Sequence, residues 1–325
     1  MRPGRVFLMI IVLLALAMGG AWRTVQQWYV APGPLTEAIT VTIEPGTGVQ
    51  AIAQGLAHAG VLRQPLLYLA VVLAAHPRAV LQAGEYAFPP GIAPQAVTAK
   101  LTQGAVVIHR ITIPEGLTTA DILALLRQEP RLTGALPDAL AEGTLLPATY
   151  FFQRGDSRAQ VLVHMQAHMQ AVVDKAWQAR LPEVPLRTPH DAVTLASIVE
   201  KETGHPEERG RVAAVFLNRL RRGMKLQADA TTLYALARAR GERPQVLSRD
   251  DLAIASPYNT YVMPGLPPGP IAHPGKAALE AVLQPPKTEE LYFVATGTGR
   301  HVFAATLDEH RRNVAQYRHP RPRRP

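Results

Sequence analysis

The 325-residue chain contains no cysteine. This absence excludes disulfide bonds, thiolate metal sites, a cysteine nucleophile and a lipid anchor of the kind that is attached to a cysteine. The sequence also lacks the glycine-rich patterns that bind dinucleotides or nucleoside triphosphates, and the GxSxG pattern that presents a serine nucleophile. Nucleotide-dependent and serine-hydrolase functions therefore have no support in the sequence.

Acidic residues are in the minority: 25 Asp and Glu stand against 34 Lys and Arg, which gives a net charge of +9. In a cytosolic protein this excess would suggest nucleic-acid binding, but no helix-turn-helix or RNA-binding motif is present, and no nucleic-acid partner is expected. The basic residues are scattered except at the end of the chain, where an Arg/Pro-rich tail at 319–325 is expected to be solvated and disordered. In an exported protein, anionic lipid head groups and anionic cell-wall polymer are the expected partners of such a charge.

The run Val6 to Trp22 contains 17 uncharged, mostly apolar residues, at the short end of what can span a bilayer. Arg2 and Arg5 precede it, and the 40 residues that follow contain a single Arg. This asymmetry predicts an uncleaved anchor with a cytoplasmic N-terminus and the bulk of the protein on the outer side. A cleaved signal peptide is the alternative, favoured by Ala15-Leu16-Ala17, but the run is longer than the usual signal core of ~7–15 residues.

Two segments share a β-then-α pattern of three strand-forming residues, a turn at glycine and apolar residues at helical spacing. The first covers Val41 to Leu56 and the second covers Ile111 to Leu126. A partial third unit runs from Gly91 to Leu101. Such units can build any small domain, so the pattern alone does not indicate a ligand.

The second half of the chain is predicted to be mainly helical. Helices are expected at 159–181, 207–222, 229–240, 250–255 and 275–283, strands at 291–295 and 301–305 form a hairpin around Gly297-Thr298-Gly299, and Thr306 with Glu309 caps a last helix. His164 and His168 have the i, i+4 spacing of a metal-binding pair, but no third ligand is evident, so no metal site is predicted.

The segment Leu195 to Tyr234, LASIVEKETGHPEERGRVAAVFLNRLRRGMKLQADATTLY, is the most informative part of the chain. Thr188-Pro189-His190-Asp191 predicts the start of a helix, with a Thr N-cap and Pro at the first position, and Gly204 ends it. Glu200 lies in the last turn at the edge of a buried face. Partial burial and the negative end of the helix dipole both raise the pKa of such a carboxyl. A carboxyl that stays protonated near neutral pH is what a general acid requires.

Five motifs follow one another between Ile198 and Gly275: IVEKET, VFLNRL, LQADATTLY, SPYNTY and GLPPGPIAHPG. In these motifs the chain resembles the endolytic murein transglycosylases, the MltG/YceG-like family, and the resemblance extends over nearly its whole length. It implies an α+β fold with an N-terminal transmembrane helix, a small LysM-like β/α module and a mainly helical catalytic domain with a β-hairpin. The expected division is 1–30 for the N-terminus and anchor, 38–108 for the LysM-like module, 109–187 for a connecting β/α and helical region, 188–318 for the catalytic region and 319–325 for the tail.

The resemblance also implies a reaction. Such an enzyme cleaves the MurNAc–GlcNAc β-1,4 bond within nascent peptidoglycan strands and so limits their length. One Glu serves first as acid and later as base, while the 6-hydroxyl of N-acetylmuramic acid acts as an internal nucleophile, so that the product carries a 1,6-anhydromuramoyl end. An intramolecular hydroxyl has a high effective concentration, which makes this route feasible without a second carboxylate. No cofactor is implied.

Glu200 matches the catalytic Glu that the resemblance implies. Glu202 is its nearest rival, but two positions further along a helix it points about 200° away. A structural ion pair with Arg209 or Arg211 is therefore the expected role of Glu202.

Seven further residues are predicted to contact the substrate: Asn218, Gln227, Asp229, Thr231, Tyr258, Asn259 and Tyr261. Asn218 is expected to position Glu200 or to bind a substrate amide, with a plain surface Asn as the alternative. The family commonly has Pro where this chain has Ala230, so a looser backbone is expected there. The two tyrosines and Asn259 offer stacking faces and amide hydrogen bonds that suit an N-acetylated sugar, although Tyr258 and Asn259 could equally build the turn after Pro257.

Two alternative functions stay open. A muramidase would hydrolyse the same bond, with Asp229 as the candidate second carboxylate. A non-catalytic glycan-binding scaffold of cell-wall synthesis would need no partly buried acid. The expected location is the bacterial inner membrane, with the catalytic region on its periplasmic side, and glycan strands, the membrane and candidate peptidoglycan synthases or elongation and division machinery as partners.

Overall fold

A computed structural model describes residues 3–75, 80–241, 244, 246–297 and 299–317, with side chains from residue 7 onward. The predicted tail at 319–325, Thr298 of the hairpin turn and the side chains of Arg2 and Arg5 lie outside the described residues. The helices found within them are α1 (Pro3–Val30), α2 (Val49–His58), α3 (Pro65–Ala75), α4 (Pro94–Gln103), α5 (Thr119–Gln128), α6 (Arg158–Gln178), α7 (Pro189–Glu202), α8 (Pro206–Arg221), α9 (Asp229–Arg240), α10 (Lys276–Leu283) and α11 (Leu307–Tyr317). The strands are β1 (Ile39–Ile43), β2 (Gly84–Phe88), β3 (Ile108–Thr112), β4 (Thr149–Gln153), β5 (Tyr292–Ala295) and β6 (His301–Ala304), which form the pairs β1–β2, β3–β4 and β5–β6.

The composition of helices and short sheets agrees with the predicted α+β class, and the predicted hairpin is present as β5 and β6, which pair antiparallel. The bounds of α9 are those predicted, and α6 ends three residues earlier than expected. The helix predicted at 250–255 is wrong, because only a single 3-10 turn, Asp251–Ala253, is formed there. Ser248 and Asp251 bond reciprocally and start this turn, but the Asn259 amide takes the carbonyls of Leu252 and Ile254, and Pro257 disfavours helical backbone in the residue before it.

The described chain divides into two compact units near His109, with Phe151–Gly155 belonging to the first unit. The first unit contains α1, whose portion Phe7–Val30 is long and apolar enough to cross a membrane. Its strands β1 and β2 pair antiparallel, with Ile39 opposite Phe88 and Ile43 opposite Gly84. The helices α2, α3 and α4 supply the rest of its apolar core, which includes Ile52, Leu56, Tyr68, Val72, Val97 and Leu101. The LysM-like character of this region and the detailed domain bounds stay predictions.

The second unit is organised around α7. Every residue of this helix from Ala192 to Val199 is buried, so it has no solvent-facing side along two turns. A helix with this pattern must be covered on all sides, and α6, α8, α9 and α10 all contact it or one another. Its start is fixed locally by the predicted capping box, in which the Thr188 hydroxyl accepts from the Asp191 N–H at 3.1 Å and Asp191 accepts from the Thr188 N–H.

Candidate active site

The last turn of α7 emerges from the core and carries three consecutive charged residues. Ile198 and Val199 are fully buried, whereas Glu200, Lys201 and Glu202 follow directly. Successive residues of a helix point about 100° apart, so these three side chains enter different surroundings. Lys201 donates through Nζ to the carbonyl oxygen of Gly116 at 3.1 Å.

Both carboxylate oxygens of Glu200 are engaged. Oε1 lies 3.3 Å from a guanidinium nitrogen of Arg209, and Oε2 accepts from the N–H of Gly275 at 3.0 Å. The side chain is 6% exposed. Burial raises the pKa of Glu200, as predicted, while the Gly275 N–H and Arg209 act in the opposite direction. Arg209 also lies 3.8 Å from Glu115, so Glu200 belongs to a paired cluster of charges.

The segment 270–275, the end of the motif GLPPGPIAHPG, holds Gly275 against Glu200. The N–H of Ile271 donates to Oγ of Ser197 at 3.0 Å, and Ser197 donates to the carbonyl of Thr194 at 2.7 Å. The backbone of His273 exchanges two hydrogen bonds with the segment 116–117, at 2.8 and 2.9 Å. Hydrogen bonds at both its ends therefore fix this loop to α7 and to the segment 116–117.

The imidazole of His273 is fully buried beneath this loop. Nδ1 lies 3.0 Å from the backbone nitrogen of Leu145 and 3.1 Å from its carbonyl oxygen, and Nε2 lies 2.9 Å from the Thr119 hydroxyl and 3.4 Å from Glu142. Burial lowers the pKa of His273 to about 4, so the ring is neutral. The sequence gives no signal for this residue, since a lone His in a Pro/Gly-rich loop has no periodicity that would reveal its burial.

Glu202 is buried like Glu200 but differs from it in its hydrogen-bond partners and in the charges around it. Its Oε1 is buried and has no hydrogen-bond partner among the residues that the structure describes. Burial, followed by the negative charge of Asp229, raises the pKa of Glu202 to about 7, while the Ala230 N–H and Arg219 act in the opposite direction. The guanidinium of Arg219 donates to the carbonyls of Leu291 at 2.7 Å and Leu226 at 2.6 Å, and its charge offsets only part of the rise in the pKa of Glu202.

The ion pair predicted between Glu202 and Arg209 or Arg211 is wrong. Arg209 lies against Glu200 and Glu115 instead, and Arg211 pairs with Glu290. Glu202 instead lies beside the start of α9, next to Asp229 and Ala230, and close enough to Arg219 of α8 for that charge to act on its carboxyl.

Two cavities meet at Glu202 and Asp229, which line both of them. The first, of about 490 Å³, is walled mainly by apolar groups, among them Leu117, Tyr234 and Ile271. The second, of about 560 Å³, is more polar and includes Arg219, Gln227, Tyr261 and His301. Glu200 lines neither of these two cavities.

Asp229 is the first residue of α9 and is exposed. It accepts a hydrogen bond from the hydroxyl of Tyr261, and burial together with this carboxylate raises the pKa of Tyr261. Gln227, two residues earlier, has a φ of 52°, which is unfavourable for a residue with a side chain. Strained backbone of this kind is common at functional sites.

Comparison with known proteins gives this geometry a context. The model of the YceG-like family matches residues 41–316 of the chain. The chain belongs to this family. A protein named endolytic murein transglycosylase from Bacillus subtilis is 31% identical over 310 residues, which cover 86% of this chain and 84% of that protein.

Two further proteins are similar to this chain over most of its length. A protein of the same name from Streptococcus pneumoniae is also 31% identical, over 86% of this chain but only 58% of its own length, so that relative is considerably longer. A crystal structure of a yceG-like protein from Listeria monocytogenes matches with a TM-score of 0.51 at 32% identity, covering 86% of this chain and 99% of that one.

In this member of the YceG-like family, the predicted substrate residues fall into two groups. Gln227, Asp229 and Tyr261 lie around the second cavity with Glu202. Thr231 and Asn259 are fully buried. The Thr231 hydroxyl donates to the carbonyl of Ala228 at 2.7 Å. The structure therefore gives Thr231 a role in packing and brings it to neither cavity.

The amide of Asn259 builds the turn that was its alternative role. Its Nδ2 donates to the carbonyls of Leu252 and Ile254, and its Oδ1 accepts from Thr232 and from the N–H of Tyr261. All of its hydrogen-bonding groups are used within the protein, and none is left for an N-acetyl group.

Asn218 and Tyr258 also lie away from the two glutamates. Asn218 donates to the carbonyls of Thr288 and Glu290 at 2.9 and 3.0 Å, and it makes no hydrogen bond with Glu200 in the described part of the chain. Tyr258 packs against Tyr234, with ring centroids 5.0 Å apart, behind the first cavity. The positioning of Glu200 by Asn218 is therefore not seen, and the sugar contact of Tyr258 stays a prediction.

The histidine pair of α6 has a packing role on one side: His168 stacks on Tyr150 with ring centroids 5.7 Å apart. No group of three or more metal-ligating side chains is found among the described residues.

Proposed function

We propose that this protein is a lytic transglycosylase that cleaves the glycan strands of peptidoglycan, and that Glu202 is its catalytic acid. Relatives that share 31% identity over most of the chain are named endolytic murein transglycosylases. The observation that carries the assignment of the acid is the state of Glu202, a carboxyl with a pKa of about 7 and one oxygen unpaired where two cavities meet.

Glu202 takes the place of Glu200, which the sequence favoured, for two reasons. First, Glu200 uses both oxygens on Arg209 and Gly275, so a substrate oxygen would have to displace one of these partners. Second, a general acid works best when its pKa is close to the operating pH, and the burial of Glu202 next to Asp229 produces that value.

In the proposed reaction the Glu202 carboxyl acts twice, first as an acid and then as a base. The protonated carboxyl donates to the glycosidic oxygen as the bond between that oxygen and C1 of the muramoyl sugar breaks. The 6-hydroxyl of the same sugar then bonds to C1, and the Glu202 carboxylate takes its proton. A 1,6-anhydromuramoyl end forms, no water is consumed and Glu202 is protonated again. Because the nucleophile belongs to the substrate, the effective concentration of an intramolecular group replaces the second carboxylate of a hydrolase.

Asp229 supports this reaction in two ways. Its negative charge raises the pKa of Glu202, and its position on the shared wall of the two cavities lets it face positive charge that develops at C1. The same position keeps hydrolysis as a second candidate function, because a muramidase needs a second carboxylate to activate water or to attack C1.

The mass and isotope content of the products separate the two functions. Purified glycan strands digested in ¹⁸O-labelled water should yield anhydromuramoyl ends without label. Reducing muramic acid that carries one labelled oxygen would instead make the protein a hydrolase with Asp229 as its second carboxylate.

We also propose that α1 is an uncleaved membrane anchor, with the N-terminus in the cytoplasm and both compact units on the outer side. Its apolar length supports this. The full chain should stay in the membrane fraction after a high-salt wash, since salt screens surface charge but does not extract a spanning helix. A variant that lacks residues 1–23 should be soluble and still cleave glycan. Release of the full chain by salt would contradict the anchor. We propose as well that the first unit binds glycan and that the protein contacts peptidoglycan synthases.

A further inference from the structure

Helix α3 presents an apolar face to solvent. Its sequence, PLLYLAVVLAA, contains no charged residue. Tyr68, Val71 and Val72 point into the core of the first unit, whereas Leu66 is 72% and Leu73 is 56% exposed. A helix on the surface of a soluble protein normally carries polar residues on its outer side. This one has none, so its outer side is suited to an apolar neighbour.

The exposed residues lie on one side of the helix. Leu66, Ala70 and Leu73 are spaced four and three residues apart and are all exposed, which places them on a common stripe. We call this stripe of Leu66, Ala70 and Leu73 the α3 face. It offers no side-chain donor or acceptor, so it is poorly suited to the hydroxyl and amide groups of a glycan.

The first unit is built directly onto the end of α1. Trp28 packs against the same core cluster that contains Tyr68, and Tyr29 is buried, 6% exposed. Tyr29 lies near Tyr68 of α3, where it adds to the effect of burial on the pKa of that hydroxyl. Beyond α1, Gly33 donates to the carbonyl of Gly91 at 3.2 Å. No flexible linker therefore separates α1 from this unit.

The length of α1 sets how far the unit lies from the lipid. The uncharged run ends at Trp22, and Tyr29 follows seven residues later in the same continuous helix. At 1.5 Å per residue this is about 10 Å. The head-group layer on each side of a bilayer is roughly 5–8 Å thick. The 17 uncharged residues cover only about 26 Å of a hydrocarbon core that is about 30 Å thick. The lipid therefore extends beyond Trp22, and the part of the unit around Tyr29 and Tyr68 begins within the head-group layer.

We propose that the α3 face inserts into the surface of the bilayer that α1 spans, so that the first unit is held against the membrane by a spanning helix and an interfacial helix together. The proposal rests on the anchoring of α1 proposed above. Helices with one apolar face commonly lie in the membrane interface in this way. Lipid is favoured over a second copy of the chain because α1 continues without a break into the core of this unit, which places the unit next to the bilayer whether or not another copy is near.

The absence of cysteine makes a direct test possible. The full-length A70C variant, labelled with a polarity-sensitive fluorophore and reconstituted in anionic vesicles, should emit at shorter wavelength than in solution. It should be quenched by lipids that carry a quencher in the upper acyl chain and protected from iodide. The matched control is Q54C on α2, an exposed polar position in the same unit, which should show iodide quenching and little lipid quenching.

A second variant separates the α3 face from the anchor. L66E/L73E in the A70C background should expose the label to iodide while the protein still resists a high-salt wash. Release of the unsubstituted chain by salt would instead show that the anchor itself fails. Iodide quenching of A70C equal to that of Q54C in vesicles would overturn the proposal. So would protection without lipid quenching, which would indicate a second copy, or protection that appears only when glycan strands are added.

Discussion

Glu200 and Glu202 lie two residues apart at the end of α7, yet they have opposite electrostatic surroundings. Glu200 is paired with Arg209 and capped by the Gly275 N–H. Glu202 has an unpaired buried oxygen, a carboxylate neighbour in Asp229 and an Arg219 whose donors go to backbone carbonyls. Burial raises the pKa of both carboxyls, and the difference lies in neighbours distant in sequence: Arg209 and the Gly275 N–H oppose the rise at Glu200, whereas the charge of Asp229 adds to it at Glu202.

The contrast also indicates that Glu200 stabilises the fold, whereas Glu202 is available for the reaction. A buried polar group without a partner costs free energy, and most proteins avoid it. Glu200 avoids this cost and joins α7 to α8 and to the start of α10. Glu202 incurs it, and buried carboxyls that do so without a structural benefit are found mainly where the protonated form is needed.

Glu202→Gln should abolish cleavage of glycan strands. The substitution keeps the shape of the side chain and removes the transferable proton, and the loss of general acid catalysis lowers rates by about 10²–10⁴. Product formation by purified full-length protein, followed by mass spectrometry, measures the effect. Cleavage above one tenth of the wild-type rate would place the acid elsewhere, with Glu200 as the first candidate.

Glu200→Gln should act mainly on stability. The change removes the charge from the pair with Arg209 but leaves an oxygen that can accept from Gly275. We expect the free energy of unfolding to fall by less than about 1.5–3 kcal/mol, the usual range for a hydrogen bond to a charged group, because removing a buried charge whose pKa is raised by burial offsets part of the loss. Cleavage should be reduced less than in Glu202→Gln. Denaturant unfolding and cleavage assays on the same preparation measure both. Complete inactivity at wild-type stability would reverse the roles of the two residues.

The pH dependence of stability should reveal Glu202. Its pKa in the folded protein, about 7, is above the ordinary value of 4.5, so between these values the folded state binds more protons than the unfolded state. Stability from this group is present below about pH 4.5 and is lost as the pH rises through about 7. Glu202→Gln should remove this decline and be the more stable protein at pH 8. An equal decline in both proteins would show that Glu202 titrates normally.

Asp229→Asn should weaken cleavage and shift its pH profile. Removal of the negative charge lowers the pKa of Glu202, so the loss of activity on the alkaline side should begin at lower pH, while the product stays anhydromuramoyl. Tyr261→Phe is the matched control, because it removes the hydrogen bond to Asp229 and keeps the charge. Tyr261→Phe should leave the alkaline side of the pH profile of cleavage closer to that of the wild type. A limb that moves to higher pH in Asp229→Asn would contradict the proposed coupling.

Local signals in the sequence predicted much of this fold. The capping box at Thr188 fixes the start of α7, and the bounds of α9 follow from its apolar pattern and the Gly241 that ends it. The helix expected at 250–255 does not continue beyond one turn, because the Asn259 amide takes the carbonyls of Leu252 and Ile254 and Pro257 cannot extend a helix. The pattern of apolar residues does not reveal that the Asn259 side chain occupies these carbonyls.

Less of the site than of the fold could be predicted from the sequence. Helical geometry predicts the direction of Glu202 relative to its own helix, but not that Asp229 from α9 faces it. Likewise, the polar character of Asn218 and Asn259 suggested substrate contacts, whereas backbone carbonyls 70 residues and 5 residues away, respectively, occupy their amides. Only the packed structure shows which polar groups are already satisfied.

Titration of the individual glutamate carboxyls is the most direct test of the central claim. Full-length protein with ¹³C-labelled Glu carboxyl groups can be followed by NMR from pH 3 to pH 9, with Glu200→Gln and Glu202→Gln used to assign the two signals. The account predicts that Glu202 titrates at a pKa of about 7 and that Glu200, held by Arg209 and Gly275, titrates at lower pH. A Glu202 signal that titrates in the ordinary range of about 4–5, or below Glu200, would contradict it.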